Sequence, residues 1–339
     1  MAFLKNAWYA GAWSHEVGRA PLARTILGEP VVMYRTQKGE PAVLSNRCAH
    51  RFAPLDRGRL VDDALECPYH GLRYDSRGQC VYNPQDDGVI PKGARVRCYP
   101  AVEKYRVLWI WTGAPERADI AKIPNFDFID DSGRYAVTTG TLLIRANYEL
   151  VSDNLLDLTH TQFLHADVFK SEAVMRGRFE VIEDGTTIHS NRWCPDAPPT
   201  PPLRLALNYD KHVDFWMDMR WDPPGLMRLD VGATPTGKPR VDGVHNLEMH
   251  LLTPETETST HYFWADARTY GINDPVVEEN NRRALEHAFI EQDKPMLEAQ
   301  QAMLGTAELW SLNPVMLKGD AAALRARRVL ARLIGEERL

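Results

Sequence analysis

Two short stretches, Cys48-Ala49-His50-Arg51 and Cys67-Pro68-Tyr69-His70-Gly71-Leu72, decide the fold of this sequence. Each offers one thiolate and one imidazole, and 16 residues separate His50 from Cys67. Two cysteines and two histidines can hold a tetrahedral zinc ion. They can also hold an iron–sulfur cluster in which both cysteines bind one iron and both histidines bind the other. Zinc modules usually pair a cysteine with a cysteine and a histidine with a histidine. Each stretch here contributes one cysteine and one histidine, so the pattern favours the cluster.

The sequence around these stretches predicts short antiparallel strands. Apolar runs alternate with turns that contain glycine, and two pairs of runs have the spacing of β-hairpins. The predicted strands are Pro30–Thr36, Pro41–Asn46, Leu72–Asp75, Gln79–Tyr82, Arg95–Tyr99 and Val107–Trp111. The Gly/Pro break Thr112–Pro115 ends this region. Residues 1–115 are therefore expected to form a small all-β domain.

The remaining residues, 116–339, have a different pattern. Leu142–Phe169 has helical periodicity, and a final helix is predicted from Asp274, as N-cap, to about Met303. The proline-rich segment Cys194–Pro202 is expected to be an ordered loop or lid without regular structure. The predicted strands are Phe179–Glu183, Thr186–Trp193, Val213–Trp221, Leu226–Ala233, Leu247–Thr253 and Thr260–Ala265. Runs of strands with a few long helices predict an α+β domain in which helices cover one face of an antiparallel sheet.

Composition and charge limit the classes of function. The chain has 339 residues and a formal net charge of −6, which excludes a generally basic nucleic-acid-binding protein. No apolar run approaches the roughly 20 residues needed to span a membrane. Five scattered cysteines argue against a disulfide framework, and Met1–Trp13 lacks the pattern of a signal peptide. A cytoplasmic location, with neither nucleic acid nor membrane as partner, is expected.

A second set of potential metal ligands lies in Asp153–His165. On a helix, Asp157 and His160 share a face because they are three residues apart. His165 lies about 140° further around an unbroken helix, so both histidines can bind one metal only where the helix ends or is distorted. Two imidazoles and one carboxylate form the facial triad of oxygen-activating non-haem iron. Nearness in sequence favours Asp157 as the carboxylate.

Together, these motifs resemble those of the Rieske non-haem iron aromatic oxygenases. The two Cys/His stretches look like the Rieske signature, and Asp153–His165 resembles the iron-binding segment of the same family. The resemblance begins at Lys5-Asn6-Ala7-Trp8-Tyr9-Ala10, covers nearly the whole chain and points to the single-subunit O-demethylases, which include vanillate demethylase and dicamba monooxygenase. It implies a Rieske domain over residues 1–115 and a catalytic domain of helix-grip type over residues 116–339.

The resemblance also implies a role for each candidate residue. The implied metal ligands are Cys48, His50, Cys67 and His70 for a [2Fe-2S] cluster, and His160, His165 and Asp293 for a mononuclear iron(II). The carboxylate ligand would then come from the late segment Glu291–Gln301, in which Glu291 and Glu298 lie near Asp293. Asp157 is implied to bridge subunits, by hydrogen-bonding the first iron-binding histidine and a cluster-binding histidine of the neighbour. His250 matches a histidine that binds the substrate carboxylate in the dicamba enzyme; an ordinary strand histidine is the alternative.

The implied function is that of a terminal oxygenase. It would use O2 to demethylate or methyl-hydroxylate a substituted aromatic acid such as vanillate or a methoxybenzoate. No G-x-G-x-x-G follows a strand and no further cysteine set is present, so no flavin or nicotinamide is expected and NAD(P)H must act through a separate reductase, with or without a ferredoxin. A head-to-tail homotrimer is implied. Two alternatives stay open, a ring-hydroxylating dioxygenase and a Rieske electron carrier.

Overall fold

The computed structural model describes residues 3–85, 87–167 and 171–338, which form two compact units. The N-terminal unit contains the described residues of 3–123 together with residues 253–256. The C-terminal unit contains the described residues of 124–252 and of 257–338. The sequence predicted a boundary after residue 115. The structure differs from that prediction at residues 116–123 and 253–256, which lie in the N-terminal unit.

The N-terminal unit is built from three small antiparallel sheets. Its strands are β1 Trp8–Trp13, β2 Leu22–Ile26, β3 Glu29–Arg35, β4 Pro41–Ser45, β5 Arg59–Val61, β6 Ala64–Glu66, β7 Arg73–Tyr74, β8 Cys80–Tyr82, β9 Ala101–Lys104 and β10 Val107–Trp111. The sheet orders are β1-β10-β9, β2-β3-β4 and β5-β6-β7-β8. Over residues 3–85 and 87–123 the helical segments are only short 3₁₀ turns, so the expected all-β class is confirmed.

Both predicted hairpins are present, as β3–β4 and β7–β8. The strand predicted over Arg95–Tyr99 is wrong, because this segment makes only the isolated bridges Gln79–Arg95 and Leu44–Cys98. Val96 and Tyr99 are buried, so the apolar pattern of the segment reflects packing into the core rather than strand pairing.

The C-terminal unit is a seven-stranded sheet with helices packed against it. Its strands are β11 Ala136–Ile144, β12 Arg178–Asp184, β13 Thr187–Ala197, β14 Val213–Asp222, β15 Leu226–Pro235, β16 Val244–Thr256 and β17 Ser259–Arg268. Its helices are α1 Tyr148–Leu156, α2 Glu172–Arg176, α3 Pro201–Leu207, α4 Pro275–Glu286, α5 Lys294–Leu304 and α6 Ala321–Glu336. The strand order is β11-β17-β16-β15-β14-β13-β12, and helices α1, α4, α5 and α6 contact the sheet. No helix in the described ranges is long and apolar enough to cross a membrane.

The helical segment predicted over Leu142–Phe169 is largely wrong. Its first three residues complete strand β11, which the prediction missed, because a short apolar run looks alike in a strand and in a buried helix. The helix α1 begins only after Asn147, whose side chain accepts a hydrogen bond from the backbone N–H of Glu149, and it ends at Leu156. The last two residues of the predicted segment lie outside the described residues.

The proline-rich segment Cys194–Pro202 is more regular than predicted. Strand β13 continues to Ala197, with an irregular register after Cys194 that spares Pro195 from sheet pairing. Helix α3 starts at Pro201, and proline is tolerated there because the first N–H groups of a helix have no partner within it. The segment is therefore a strand end and a helix start joined by residues 198–200.

Helices α4 and α5 confirm the predicted start after Asp274 and the predicted end near Met303. They are joined by a π-helical turn, His287–Asp293, which the sequence prediction did not include. The prediction also missed α6, although Ala322, Ala326, Val329 and Leu330 form its buried stripe with helical spacing.

Candidate metal centres

The two Cys/His stretches fold into loops with the same backbone hydrogen bond and a left-handed residue four positions after the cysteine. The backbone N–H of Phe52 donates to the carbonyl of Cys48 at 2.9 Å, and that of Gly71 donates to the carbonyl of Cys67 at 3.0 Å. Phe52 and Gly71 both have left-handed backbone angles, with φ of 56° and 77°. Glycine adopts this conformation at little cost, whereas phenylalanine rarely does. The two loops thus share the turn that follows the cysteine, although the histidine is two residues after Cys48 and three residues after Cys67.

The thiols point into the N-terminal unit and the imidazoles lie at its surface. Cys48 and Cys67 are 1% and 2% exposed, within the apolar core of this unit. His50 is exposed, His70 is half-buried, and their ring centroids are 4.6 Å apart. Burial raises the pKa of the Cys67 thiol, and the neighbouring Cys48 thiol raises it further. The hydroxyl of Tyr74 lies 3.2 Å from the Cys48 sulfur.

These positions fit a two-iron cluster better than a zinc ion. Tetrahedral zinc would bring all four ligand atoms within about 4 Å of one another. The ligand atoms of these four residues do not form such a close group. Among the described residues, a different set of His and Asp side chains brings its ligand atoms within 4.8 Å of one another. Two buried sulfurs on one side and two adjacent imidazoles on the other are what a cluster with unlike irons requires.

That group consists of His160, His165 and Asp293. The Oδ1 atom of Asp293 lies 3.3 Å from Nε2 of His165 and 3.6 Å from Nε2 of His160. The side chains of Asp293 and His165 are only 6% and 4% exposed, while that of His160 is 20% exposed. One carboxylate and two imidazoles with their ligand atoms so close match the donor set of a non-haem iron with open coordination positions.

No unbroken helix carries both histidines: α1 ends before His160, and the 3₁₀ turn that carries His160 ends before His165. Helix α1 ends at Leu156, and the side chain of Asp157 caps a following 3₁₀ turn, Leu158–Gln162, by accepting from the N–H of Thr159 at 3.0 Å. This turn carries His160, and the non-helical residues after it bring His165 to the same side.

The π-helical turn positions the carboxylate. Asp293 is its last residue, and such turns frequently occur at functional sites. Pro295 follows within the first turn of α5. Because proline has no N–H, it cannot donate to the carbonyl four residues earlier, that of Glu291. The sequence signal for the distortion was therefore a proline within the helical pattern.

Both histidines are held through the ring nitrogen that faces away from Asp293. Nδ1 of His160 lies 2.8 Å from the backbone carbonyl of Asp157, and Nδ1 of His165 lies 2.7 Å from Oε1 of Gln292. Burial lowers the pKa of His160. Burial acts in the same direction on His165, but the hydrogen bond to Asp293, the negative charge of Asp293 and the hydrogen bond to Gln292 together outweigh it, so the pKa of His165 is raised.

Asp157 thus contacts His160 through its backbone carbonyl. The family resemblance had implied a hydrogen bond from His160 to the side-chain carboxylate of Asp157 instead. Its carboxylate lies against the backbone of Gly319, where a Cβ atom would collide with it.

Sequence reasoning missed two further residues of this centre. Asn154 donates to Oδ1 of Asp293 at 3.3 Å, and Gln292 contacts His165. No spacing signal identifies either one, because their partners are distant in sequence.

His250 is buried in β16 at 1% exposure. Its Nδ1 lies 2.7 Å from the hydroxyl of Tyr262, and its Nε2 has no hydrogen-bond partner and lies 3.5 Å from Oε2 of Glu248. Phe289, from the π-helical turn, packs edge-on against the ring. Burial lowers the pKa of His250 to about 3, so its imidazole is neutral at physiological pH.

A cavity of about 580 Å³ lies beside the proline-rich segment. It is lined by residues of α2, by residues 194–197 of β13 and by the start of α3, including Glu172, Arg176 and Cys194. None of the three residues of the iron-type group lines it.

Comparison with known proteins gives consistent matches along the chain. Residues 7–100 match the Rieske [2Fe-2S] domain, and residues 144–336 match the vanillate O-demethylase oxygenase C-terminal domain. The chain is 40% identical to the oxygenase component of chloroacetanilide N-alkylformylase from Rhizorhabdus wittichii, over 97% of this chain and 94% of that protein. It is 38% identical to the oxygenase component of dicamba O-demethylase from Stenotrophomonas maltophilia, over 98% of both.

The fold comparison agrees with the sequence comparison. The crystal structure of dicamba monooxygenase bound to 3,6-dichlorosalicylic acid is similar to this chain with a TM-score of 0.95 and 37% identity, covering 100% of this chain and 99% of that one. The predicted α+β class with an N-terminal Rieske domain is therefore confirmed. A Rieske electron carrier would lack the C-terminal catalytic domain.

The cofactors follow from the two matched domains and from the two sets of donor residues. They are a [2Fe-2S] cluster and a mononuclear non-haem iron. An oxygenase component receives its electrons from separate proteins, so a reductase or ferredoxin is a partner. The chain belongs to the Rieske non-haem iron oxygenases, as an oxygenase component with a catalytic domain of the vanillate O-demethylase type.

Proposed function

We propose that this oxygenase demethylates or methyl-hydroxylates a substituted aromatic acid. The observation that carries the proposal is the close group of His160, His165 and Asp293 within a chain that is similar over nearly its full length to O-demethylases. Insertion of oxygen into a methoxy C–H bond gives a hemiacetal, which loses formaldehyde and leaves a phenol. N-dealkylation of an anilide is the second candidate, because the relative with 40% identity is a chloroacetanilide N-alkylformylase.

The ligand assignments are part of this proposal. Cys48, His50, Cys67 and His70 would hold the [2Fe-2S] cluster, within a Rieske domain over residues 1–115. His160, His165 and Asp293 would hold the iron, within a catalytic domain over residues 116–339. The burial of the thiols and the short distances from Asp293 to both histidines support these roles. When the iron is bound at these residues, it activates dioxygen.

We also propose a head-to-tail homotrimer in which Asp157 links one subunit's iron site to the neighbour's cluster. Two exposed apolar surfaces support it. Phe52 and Tyr69, beside the cluster-binding histidines, are 73% and 63% exposed. Val315 and Leu317, just before the Gly319 that touches Asp157, are 89% and 71% exposed. A head-to-tail contact would cover both surfaces.

His250 is proposed to orient the substrate. Because its imidazole is neutral and Tyr262 faces Nδ1, Nε2–H can donate to an oxygen of the substrate. Burial raises the pKa of the nearby Glu248 carboxyl well above its usual value, which reduces its repulsion of an anionic group. A carboxylate on the ring is consistent with these two neighbours.

The location is proposed to be the cytoplasm. None of the five cysteines forms a disulfide, as expected for a reducing compartment.

The test is product analysis with a purified NAD(P)H-dependent reductase. Methoxybenzoates, vanillate and N-alkyl anilides are incubated with the oxygenase under ¹⁸O2, and aldehyde and aromatic products are quantified. The proposal predicts stoichiometric formaldehyde and a phenol from a methoxy acid. A diol carrying two atoms of ¹⁸O would establish a ring dioxygenase instead, and aldehyde from anilides alone would favour the second candidate.

A further inference from the structure

A continuous chain of hydrogen-bonded side chains leads from His165 to the protein surface. Nδ1 of His165 lies 2.7 Å from Oε1 of Gln292, and Nε2 of Gln292 donates to Oδ1 of Asp167 at 3.0 Å. The other oxygen of Asp167 lies 2.8 Å from Nε2 of His287, whose Nδ1 lies 2.6 Å from Oε2 of Glu291. The two ends of this chain are the buried His165 and the exposed Glu291.

The order of donors and acceptors in this chain is fixed by chemistry. A carboxylate only accepts hydrogen bonds, and an amide side chain has one accepting oxygen and one donating nitrogen. Because the carboxylate of Asp167 can only accept, the side-chain amide of Gln292 must point its nitrogen toward Asp167. Its oxygen therefore points toward His165. An oxygen in that place requires a hydrogen on Nδ1 of His165. When this imidazole is neutral, its lone pair is then on Nε2, the atom that faces Asp293.

Asp167 is itself held in place by His287, which lies at the start of the π-helical turn. The chain therefore ties the loop after His165 to the same turn that carries Asp293. Gln292 and Asp293 are consecutive, yet one contacts the far side of the imidazole and the other contacts its metal-facing side. The wider π-helical turn thus directs both residues to His165.

We propose that Gln292 is a positioning residue for the catalytic iron. Oriented by Asp167 and His287, it fixes His165 in the tautomer that presents Nε2 to the metal. This inference rests on the proposed assignment of His165 as a ligand. Hydrogen-bond partners of this kind typically contribute 10–100-fold to metal affinity.

The experiment measures metal binding by protein that keeps its cluster but has been stripped of mononuclear iron. Co²⁺ is titrated anaerobically, and its visible ligand-field bands give both affinity and geometry. Gln292→Met keeps the side-chain length but removes both hydrogen bonds. We expect Co²⁺ binding about 10–100-fold weaker, with shifted bands. The control is Gln300→Met on the exposed face of α5, which should leave the affinity unchanged.

A charge-swapped pair provides the rescue. Gln292→Glu alone places two carboxylates together and should weaken Co²⁺ binding. Combined with Asp167→Asn, the new amide donates to the carboxylate at position 292, and its oxygen still accepts from His287. The double variant should recover wild-type bands and an affinity within about threefold of wild type. This comparison decides the question even if Gln292→Met does not fold.

Failure of the inference and failure of the ligand assignment are distinguishable. If His165→Ala binds Co²⁺ as tightly as the wild type, the ligand assignment is wrong. If His165→Ala loses binding while Gln292→Met keeps wild-type affinity and bands, the assignment stands and the positioning role of Gln292 is overturned. That role is also overturned if the double variant binds Co²⁺ no better than Gln292→Glu alone.

Discussion

At the scale of single residues, hydrogen bonding distinguishes the roles of Asp157 and Asp293, which nearness in sequence could not distinguish. Asp157 lies close to His160 along the chain, but its carboxylate caps the next turn and only its carbonyl contacts that ring. Asp293 is 128 residues beyond His165, yet its carboxylate lies 3.3 Å from that imidazole. This geometry favours Asp293 as the ligand.

The first prediction separates these two acids. Asp293→Asn should leave the catalytic site largely empty, because it removes the only anionic ligand of the proposed triad. Asp157→Asn should keep iron in both sites but slow reoxidation of the reduced cluster by substrate and O2 about 100-fold. Iron per chain and stopped-flow absorbance measure the two effects. Loss of mononuclear iron from Asp157→Asn would identify Asp157 as a ligand instead.

The second prediction concerns the buried imidazole of His250. In the folded protein it stays neutral down to about pH 3, whereas in the unfolded chain it takes up a proton near pH 6.5. The unfolded state thus binds more protons below pH 6.5, so stability falls as the pH falls. Between pH 6.5 and 5 this loss is about 2 kcal/mol.

His250→Asn should remove that loss. Urea unfolding of both proteins at several pH values measures it, and the titrating groups that do not contact His250 cancel in the difference. A constant stability difference between the two proteins from pH 6.5 to 5 would show that His250 is protonated in the folded state.

At the scale of elements, the sequence predicted best where a local signal exists. Asp274, which caps α4, and Pro275 gave the start of the helical segment that contains α4 and α5, and the two Cys/His stretches gave both cluster loops. The π-helical turn and the contact of Gln292 with His165 depend on packing between distant segments, which spacing does not encode. The helix α6 had a recognisable apolar stripe and was simply missed.

The third prediction tests what α6 does. Arg327 of α6, only 7% exposed, pairs with Glu149 and Asp153 of α1, the helix that leads to the iron-binding turn. Arg327→Met would leave two largely buried carboxylates without their cation, which costs about 3–5 kcal/mol. Chemical denaturation measures this loss.

A matched control lies on the same helix. Arg332→Met removes an exposed pair with Glu336 and should change stability by less than about 0.5 kcal/mol. Equal effects of the two substitutions would show that the buried pairs do not anchor α1 to α6.

At the scale of the whole molecule, each compact unit carries one set of donor residues. The cluster-type residues lie in the N-terminal unit and the iron-type group lies in the C-terminal unit. The sequence indicated this division through two separate motifs. The arrangement of subunits came from family resemblance alone, because a single chain contains no signal of it beyond exposed apolar side chains.

The fourth prediction is complementation between inactive subunits. Cys67→Ser should remove the cluster and His160→Ala should remove the catalytic iron, so each homotrimer is inactive. When the two are co-expressed in equal amounts and assemble at random, about one subunit contact in four joins the cluster of one subunit to the iron site of the next. Only such a contact can be active. The co-expressed population as a whole should regain about a quarter of wild-type activity, and isolated mixed trimers about a third. Absence of activity in isolated mixed trimers would contradict electron transfer between subunits.

Every role assigned above depends on one chain carrying both a two-iron cluster and a separate catalytic iron. Iron and acid-labile sulfide per chain, measured on anaerobically purified protein beside its visible spectrum, test this content. We expect about three irons and two sulfides per chain, falling to about two irons in His160→Ala with sulfide unchanged. Zinc without sulfide, or an iron content unaffected by His160→Ala, would show that the two metal centres are wrongly assigned.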